Sequence, residues 1–157
     1  MKSRMMLAAL AGAAFLASPL QASAMEEAEV EELSLLAGEE FGVCPELLQA
    51  VAWKESGYRE DGENEGCIGL MQVAGRWHQE RMERLGVRDL YDPAGNMRVA
   101  ADYLAELFEK FEDAGMVLMV YNGDSSAWGY QRTGDGLSDY ASSVLKKAAE
   151  LERAHGK

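Results

Sequence analysis

A glutamate closes an apolar helical stripe in the segment AVAWKESGYRED, residues 50–61. Leu48 and Val51 recur at helical spacing, and Glu55 follows Val51 by four residues, so its carboxyl group is predicted on the same face. A carboxylate that faces a core is costly unless it is paired or stays protonated. A carboxyl group that keeps its proton near neutral pH is suited to general acid catalysis. The alternative, from this fragment alone, is that the helix ends near Gly57 and Glu55 turns toward water.

Three further short motifs follow along the chain. After ES at residues 55–56 come GLMQ at 69–72, YN at 121–122 and DY at 139–140. Between GLMQ and YN lies DPAGNMRVAADYL, residues 92–104, in which Asp and Pro predict the start of a helix. This order and spacing resemble the transglycosylase SLT domain, the lytic transglycosylases that share the goose-type lysozyme fold. The combination is specific, although ESG alone would not be.

The resemblance covers about residues 40–147 and implies both a fold and a set of roles. The implied fold is mainly α, of the α+β lysozyme-like superfamily. In it a helical bundle surrounds a central apolar helix, and a short irregular β-hairpin lies beside the cleft. Glu55 matches the single catalytic acid of the family, and Asn96 matches a structural asparagine that opens a long helix. The residues implied for substrate binding are Ser56, Gly69, Leu70, Met71, Gln72, Tyr121, Asn122 and Tyr140.

The implied reaction is cleavage of the MurNAc–GlcNAc β-1,4 bond of peptidoglycan. One glutamate acts first as acid and then as base, and the product carries a 1,6-anhydro-muramic end. A raised pKa at Glu55 would suit the first step. Ordinary glycosidases need a second carboxylate, but Asp61, Glu63, Glu65 and Asp124 are interpreted as solvated loop acids. The alternatives are a hydrolytic muramidase on the same fold and a cell-wall binding module that does not cleave.

Two polar residues of the motifs have expected roles in the site. Gln72 is expected to hydrogen-bond a sugar hydroxyl or acetamide, and Tyr121 to orient Glu55 through its hydroxyl. The alternative for each is a structural polar group in the cleft wall. The sequence departs from the family pattern beside YN, where Val120 replaces the usual alanine and Gly-Asp at residues 123–124 replaces Ala-Gly. These departures bear on substrate subsites more than on the chemistry.

The three tryptophans are candidates for stacking on sugar rings. They are Trp53, Trp77 and Trp128. Trp128 is expected to be the best placed of them, because it follows the YN motif in a glycine-rich loop. Simple packing is the alternative for each.

Residues 1–24 predict a secretory signal peptide. Two basic residues come first, an unbroken apolar run covers residues 5–16, and ASA at 22–24 is a small-residue cleavage site. The run is too short to span a bilayer comfortably. Residues 25–157 then form a single domain of sufficient size for a core. A retained N-terminal anchor is the alternative.

The charge balance limits the partners that this chain can have. It contains 15 Lys and Arg residues and 27 Asp and Glu residues, a formal net charge of −12. Such a surface repels phosphate backbones, so nucleic acid is not expected to bind. The resemblance implies peptidoglycan glycan strands as the partner, with no cofactor and no stable membrane insertion after signal cleavage. The expected location is secreted or periplasmic and cell-wall associated, and a secretion or conjugation machine is a candidate partner.

The two cysteines predict a disulfide in an exported chain. They are Cys44 and Cys67, and the alternative is two separate thiols. Two cysteines cannot form a zinc site alone. His78 and His155 show no ligand spacing with them or with each other, so no metal site is predicted.

The hydrophobic pattern predicts mostly helices. Residues 26–42 predict an amphipathic helix with Val30, Leu33, Leu36 and Phe41 inward. Other helices are expected at residues 45–56, at 74–85 and from Asp92 onward, and a buried central helix is expected at 116–122. The last expected helix is C-terminal, and its inward residues are Leu137, Tyr140, Ala141, Val144, Leu145 and Ala148. Residues 59–73 predict a loop or irregular hairpin, and 123–136 a glycine-rich loop.

Overall fold

The computed structural model describes residues 24–157, which form seven α-helices and one two-stranded antiparallel sheet. The predicted signal peptide lies almost entirely outside the described residues. None of the described helices is long and apolar enough to cross a membrane. The elements are α1 (Glu27–Phe41), α2 (Pro45–Ser56), β1 (Glu63–Asn64), β2 (Cys67–Ile68), α3 (Gln79–Leu85), α4 (Pro93–Lys110), α5 (Ala114–Tyr121), α6 (Ala127–Thr133) and α7 (Asp139–Ala154).

Helix α2 carries Glu55 and is closed by residues suited to its two ends. Pro45 occupies the first helical position, where its fixed φ fits. Gly57 ends the helix with φ of +62°, a left-handed conformation that glycine adopts readily. Leu48 and Val51 are fully buried, so the predicted apolar stripe is confirmed. Helices α1 and α7 both pack against α2, which places its last turn beside the first turn of α7.

The predicted central helix and the predicted capped helix are both confirmed. Residues 116–119 of α5 are buried, and α5 contacts α4, α6 and α7. Asp92 caps α4 by accepting a hydrogen bond from the backbone N–H of Gly95 at 2.9 Å, and Pro93 follows at the first helical position. These two helices carry the cleft wall opposite α2.

The buried face of α1 differs from the prediction. Val30 is buried as expected, but Leu36 is 59% exposed. The buried face includes Ala37 and Gly38 instead. A Cβ at Gly38 would lie 2.7 Å from the carbonyl oxygen of Val43. The small residues therefore let α1 approach the start of α2 closely, and this contact fixes the rotation of α1.

Two other predicted segments need correction. The segment predicted as one helix over residues 74–85 contains a short 3-10 turn, Gly75–Trp77, followed by α3, because the backbone leaves the helical path at His78 (φ −123°). The predicted glycine-rich loop over 123–136 contains α6, which ends at Gly134 in the left-handed conformation. Leu137 precedes α7 and is exposed. The β-hairpin lies inside the segment predicted for it, with Glu63 paired to Ile68 and Asn64 to Cys67.

The predicted disulfide is wrong, because α2 separates the two cysteines. Cys44 directly precedes the first turn of α2, whereas Cys67 lines the cleft that holds Glu55 at the other end. A helix of 12 residues is about 18 Å long, and a disulfide needs Cα atoms within about 7 Å. Both cysteines are free thiols.

A buried carboxylate, Glu46, joins the start of α2 to the end of α7. Its side chain is 2% exposed. The Cys44 thiol donates to it at 3.2 Å, His155 Nδ1 lies 2.9 Å away and the Lys157 ammonium donates at 2.7 Å. Burial acts to raise the pKa of Glu46, but the hydrogen bonds from Lys157, His155 and Cys44 outweigh it and lower the pKa to about 2. The charged form is therefore the stable one at neutral pH.

We predict that Glu46→Gln lowers the free energy of unfolding by about 1–3 kcal/mol at pH 7, because an amide cannot replace the charge-assisted hydrogen bonds. The folded pKa of about 2 lies below the value of about 4.3 for an unfolded Glu. The stabilisation is thus complete above the unfolded pKa and is lost as pH falls toward the folded pKa. Urea unfolding at pH 7 and about pH 3 measures this.

The exposed position Glu39 on α1 provides the matched control. Glu39→Gln should leave the free energy of unfolding nearly unchanged at both pH values. A deficit of Glu46→Gln that is as large at pH 3 as at pH 7 would show that packing, and not charge, accounts for its role.

Candidate active site

Glu55 lies in a cleft of about 710 Å³ between the hairpin side of the molecule and the helices α4 and α5. The cleft is partly open to solvent, so a ligand can enter it. Its wall is formed by both polar and aromatic side chains. They include Cys67, Gln72, Trp77, Tyr103, Tyr121 and Asn122.

The carboxyl group of Glu55 has one side-chain hydrogen bond among the described residues. The hydroxyl of Tyr140, in the first turn of α7, donates to Glu55 Oε1 at 2.5 Å. Burial raises the pKa of Glu55, and the hydrogen bond from Tyr140 and the charge of Lys54 act in the opposite direction without cancelling it. The upward direction confirms the predicted environment of Glu55: it is half-buried, poorly solvated and inclined to keep its proton.

Tyr121 was expected to orient Glu55 through its hydroxyl, and this prediction is wrong. Its hydroxyl donates to the backbone carbonyl of Met71 at 2.9 Å and not to Glu55. Tyr140 makes the contact that was expected of Tyr121. Tyr121 does line the cleft, and its ring lies 5.8 Å from that of Tyr103. Burial raises the pKa of the Tyr121 hydroxyl well above its ordinary value, so it remains a donor at all ordinary pH values.

The GLMQ turn does not present most of its side chains to the cleft. Leu70 and Met71 are fully buried and Gly69 is buried. The expectation that Leu70 and Met71 line the sugar site is therefore wrong for their side chains, and Gly69 has no side chain to present. A Cβ at Gly69 would lie 2.5 Å from the carbonyl oxygen of Leu90, and φ is +76°, so glycine is required there.

Asn96 fixes this turn from the opposite side. It is fully buried. Its Oδ1 accepts from the backbone N–H of Met71 at 2.7 Å, and its Nδ2 donates to the carbonyls of Ile68 and Leu90, each at 2.8 Å. The structural role implied for Asn96 is thus confirmed. One side chain ties the first turn of α4 to the hairpin and to the GLMQ turn.

Ser56 fixes the turn from the α2 side. Its hydroxyl donates to the carbonyl of Leu70 at 2.7 Å and accepts from the backbone N–H of Arg59 at 3.0 Å. Its oxygen also lies 3.2 Å from the carbonyl of Ala52. Ser56 therefore positions the segment next to Glu55, which is a different role from the ligand contact that the resemblance implies.

Gln72 and Asn122 are the polar motif residues that do line the cleft. Gln72 has a left-handed backbone, with φ of +50°. Its Nε2 donates to the carbonyls of Gly62 and Gly69 at 3.2 and 3.0 Å, which leaves its Oε1 to face a ligand. Asn122 is exposed at the end of α5. Sugar contacts by either residue stay predictions.

The tryptophan expected to lie nearest the site is not the one found there. Trp128 packs edge-on against Phe111, with ring centroids 6.0 Å apart, outside the cleft. Trp53 lies under the Lys147 ammonium, also outside it. Trp77 lines the cleft. The chain continues along the cleft wall after the GLMQ turn. The position of Trp77 shortly after this turn is the sequence signal that could have indicated it.

Three of the four loop acids considered as second carboxylates have other partners. Asp61 pairs with Arg59, and Glu63 accepts from the Tyr91 hydroxyl at 2.7 Å. Asp124 accepts from the backbone N–H and the hydroxyl of the serine two residues later. Glu65 is exposed at the cleft wall.

Glu106 is a further carboxylate of the cleft that the sequence did not indicate. It is paired with Lys110 and Arg81, which lower its pKa. Glu55 and Glu106 therefore differ in the direction of their pKa shifts. Of these two acids, Glu55 is the one poised to donate a proton.

One group of clustered metal-type donors in the described residues lies away from the cleft. Donor atoms of Cys44, Glu46 and Glu152 come within 4.8 Å of one another. They lie at the end of α2 opposite Glu55. His155, which showed no ligand spacing in the sequence, is brought beside them by α7. The Lys157 ammonium already contacts Glu46 there.

The helical bundle, its small hairpin and its half-buried cleft glutamate define a lysozyme-like protein. The family model described as the transglycosylase SLT domain matches residues 32–139. The chain therefore belongs to the transglycosylase SLT domain family, as the sequence motifs predict.

The chain is also similar to curated sequences and to a solved structure. The chain is similar to the X polypeptide of Escherichia coli and to that of strain K12, each 34% identical over 95 residues. The match covers 55% of this chain and 56% of each relative, so it spans about half the length of these relatives. A solved structure of an inactive mutant of the lytic transglycosylase Slt from Pseudomonas aeruginosa superposes with a TM-score of 0.69 at 19% identity, covering 80% of this chain and 24% of that chain.

We predict that Tyr140→Phe destabilises the protein by about 1–3 kcal/mol at pH 7 and by less at pH 4. The lost hydrogen bond favours the charged form of Glu55. Since the folded pKa of Glu55 is raised, the charged form is the minor one at pH 4 and is more populated at pH 7. Thermal or urea unfolding at both pH values measures the difference.

Tyr121→Phe is the control, because its hydroxyl bonds to a backbone carbonyl that does not titrate. Its deficit should be the same at pH 4 and pH 7. If the Tyr140→Phe deficit also shows no dependence on pH, the Tyr140 hydroxyl does not influence the ionisation of Glu55.

Proposed function

We propose that this protein is a peptidoglycan lytic transglycosylase that cleaves the MurNAc–GlcNAc β-1,4 bond with Glu55 as its single acid and base. The observation that supports this most is the half-buried Glu55 carboxyl group in an open cleft, with a raised pKa and the Tyr140 hydroxyl as its partner. A carboxyl group of this kind serves as the general acid in glycosidic bond cleavage.

In the first step Glu55 donates its proton to the glycosidic oxygen as the bond from this oxygen to C1 of the muramic sugar breaks. The raised pKa favours this step, because it keeps a fraction of Glu55 protonated near neutral pH. The leaving sugar departs with a neutral hydroxyl. Tyr140 then stabilises the new carboxylate through its short hydrogen bond.

In the second step the C6 hydroxyl oxygen of the same muramic sugar forms a bond to C1. The proton of that hydroxyl passes to the Glu55 carboxylate, which restores the acid. No water is consumed, and the product is a 1,6-anhydro-muramic end. The attack is intramolecular, so proximity favours it. This route needs no second carboxylate, in keeping with the ion pairs of Glu106 to Lys110 and Arg81.

The names of similar proteins add support. The solved relative is titled a lytic transglycosylase, and its inactive form has glutamine in place of a glutamate. Membership in the transglycosylase SLT domain family supports the same class of activity. Substrate contacts from Gln72, Tyr121 and Asn122, which line the cleft, are part of the proposal.

The setting of the reaction follows from the same proposal. Residues 1–24 are proposed to direct export and to be removed, leaving a single domain over 25–157 in the periplasm or outside the cell. The peptidoglycan strand is the proposed partner. Service to a secretion or conjugation machine stays a prediction.

Digestion of purified sacculi tests this function. We predict that the wild-type chain over residues 25–157 releases muropeptides with anhydro-muramic ends, each lighter by one water than a hydrated end in mass spectrometry. Glu55→Gln should lower release by about 10²–10⁴-fold, because it removes the general acid and keeps the shape.

Glu65→Gln is the matched variant, since Glu65 is an exposed carboxylate in the same cleft. It should retain most of the activity. Hydrated reducing ends would show a hydrolytic muramidase instead, and glycan binding without release of any fragment would show a binding module. Retention of more than about a tenth of the activity by Glu55→Gln would show that another group is the acid.

A further inference from the structure

The groove continues beyond the cleft that holds Glu55. Beyond Trp77 a second hollow of about 520 Å³ continues it. The two spaces share part of their lining, namely Trp77, His78, Arg81 and Glu106. A strand that lies against Glu55 can therefore extend past Trp77 without leaving the groove.

Trp77 is the most exposed of the large hydrophobic side chains in the described chain, at 75%. The other two tryptophans lie outside the groove: Trp128 packs against Phe111, and Trp53 lies near the Lys147 ammonium. Exposed apolar surface of this kind is costly to hydrate and gains when a ligand covers it. Its position inside the groove distinguishes it from a scattered surface residue.

The ring of Trp77 is held in place from one side. The guanidinium carbon of Arg76 lies 5.6 Å from the ring centroid, within the range of a cation–π contact. Arg76 Nη1 also donates to the carbonyl of Glu65 at 3.3 Å, in the turn of the hairpin. The hairpin thus anchors Arg76, and Arg76 supports the ring. A ring ordered in this way loses less conformational entropy on binding.

The charges in the second hollow favour a neutral ligand. Arg81 is paired with Asp102 and Glu106, and Arg84 is paired with Asp102. These two guanidinium groups are matched by carboxylates. Arg76 and Glu80 also line the hollow and carry opposite charges, so with Asp102 counted the charges of the hollow sum to zero. The face of a pyranose ring presents C–H groups that suit an indole ring, and its hydroxyls can meet the polar side chains around it.

We propose that Trp77 is a stacking platform for a sugar of the glycan strand, lying beyond the sugars next to Glu55. This rests on the proposed function, since it assigns that substrate a longer footprint. The consequence is a preference for strand length. An oligosaccharide that reaches Trp77 gains affinity, and one that is too short to reach it does not.

Binding of N-acetylglucosamine oligomers to the Glu55→Gln variant tests this, because binding is then measured without cleavage. Isothermal titration with a disaccharide and a hexasaccharide compares the two lengths. Adding Trp77→Ala should weaken hexasaccharide binding by about tenfold and leave disaccharide binding unchanged. Trp77→Tyr should restore most of the affinity, since it keeps an aromatic face.

Trp128→Ala is the matched control, an exposed tryptophan (56%) outside the groove. In the Glu55→Gln background it should bind both oligomers as the parent does. The platform is contradicted if Trp77→Ala binds the hexasaccharide like the parent, if Trp128→Ala weakens binding equally, or if the parent binds neither oligomer.

Failure of this inference and failure of the proposed function give different results. If the Trp77 effect on hexasaccharide binding appears but sacculi yield no anhydro-muramic ends, the platform stands and the reaction is wrong. If sacculi yield those ends and Trp77→Ala changes neither the KM for sacculi nor oligomer binding, the reaction stands and the platform is wrong. The expected result with active enzyme is a raised KM in Trp77→Ala with kcat nearly unchanged.

Discussion

The hydrogen bond from Tyr140 to Glu55 is the contact on which the site depends, and it exists because α2 and α7 run antiparallel. The same pairing brings Glu46, at the other end of α2, to His155 and Lys157. One helix therefore presents two glutamates in opposite electrostatic settings. Hydrogen bonds from Lys157, His155 and Cys44 lower the pKa of Glu46 despite its burial, whereas burial raises the pKa of Glu55, whose partner is a neutral hydroxyl. The first carboxylate stabilises the helix pair, and the second is available for proton transfer.

Several motif residues around Glu55 hold the cleft together through hydrogen bonds to backbone groups. Asn96, Ser56 and Tyr121 all reach the backbone of the buried GLMQ turn, from α4, α2 and α5. Three elements distant in the sequence thus meet on one turn. These three hydrogen-bonding contacts position Gln72 at the cleft wall and the last turn of α2 beside it. It also explains why short polar side chains and a glycine occupy these positions, since each satisfies a specific backbone group or avoids a clash.

Local pattern in the sequence predicted the elements well. The apolar stripe that ends in Glu55, the Asp-Pro start of α4 and the buried α5 follow from side-chain spacing and capping alone. Pairings between distant segments could not be read in this way. The assignment of the Glu55 contact to Tyr121, the disulfide and the choice of Trp128 all required knowing which element ends meet. The rotation of α1 depends on a close approach at Gly38, which periodicity does not indicate.

A direct titration of the Glu55 carboxyl group tests the central claim, that this acid is poorly solvated and keeps its proton more strongly than an ordinary glutamate. Carbon-13 NMR of the side-chain carboxyl, assigned by comparison with Glu55→Gln, follows its ionisation with pH. We expect a midpoint above about 4.3, the value of an unperturbed Glu, because burial outweighs the hydrogen bond from Tyr140. A midpoint at or below that value would contradict the account, since Glu55 would then be an ordinary ionised side chain with no special capacity to act as the acid.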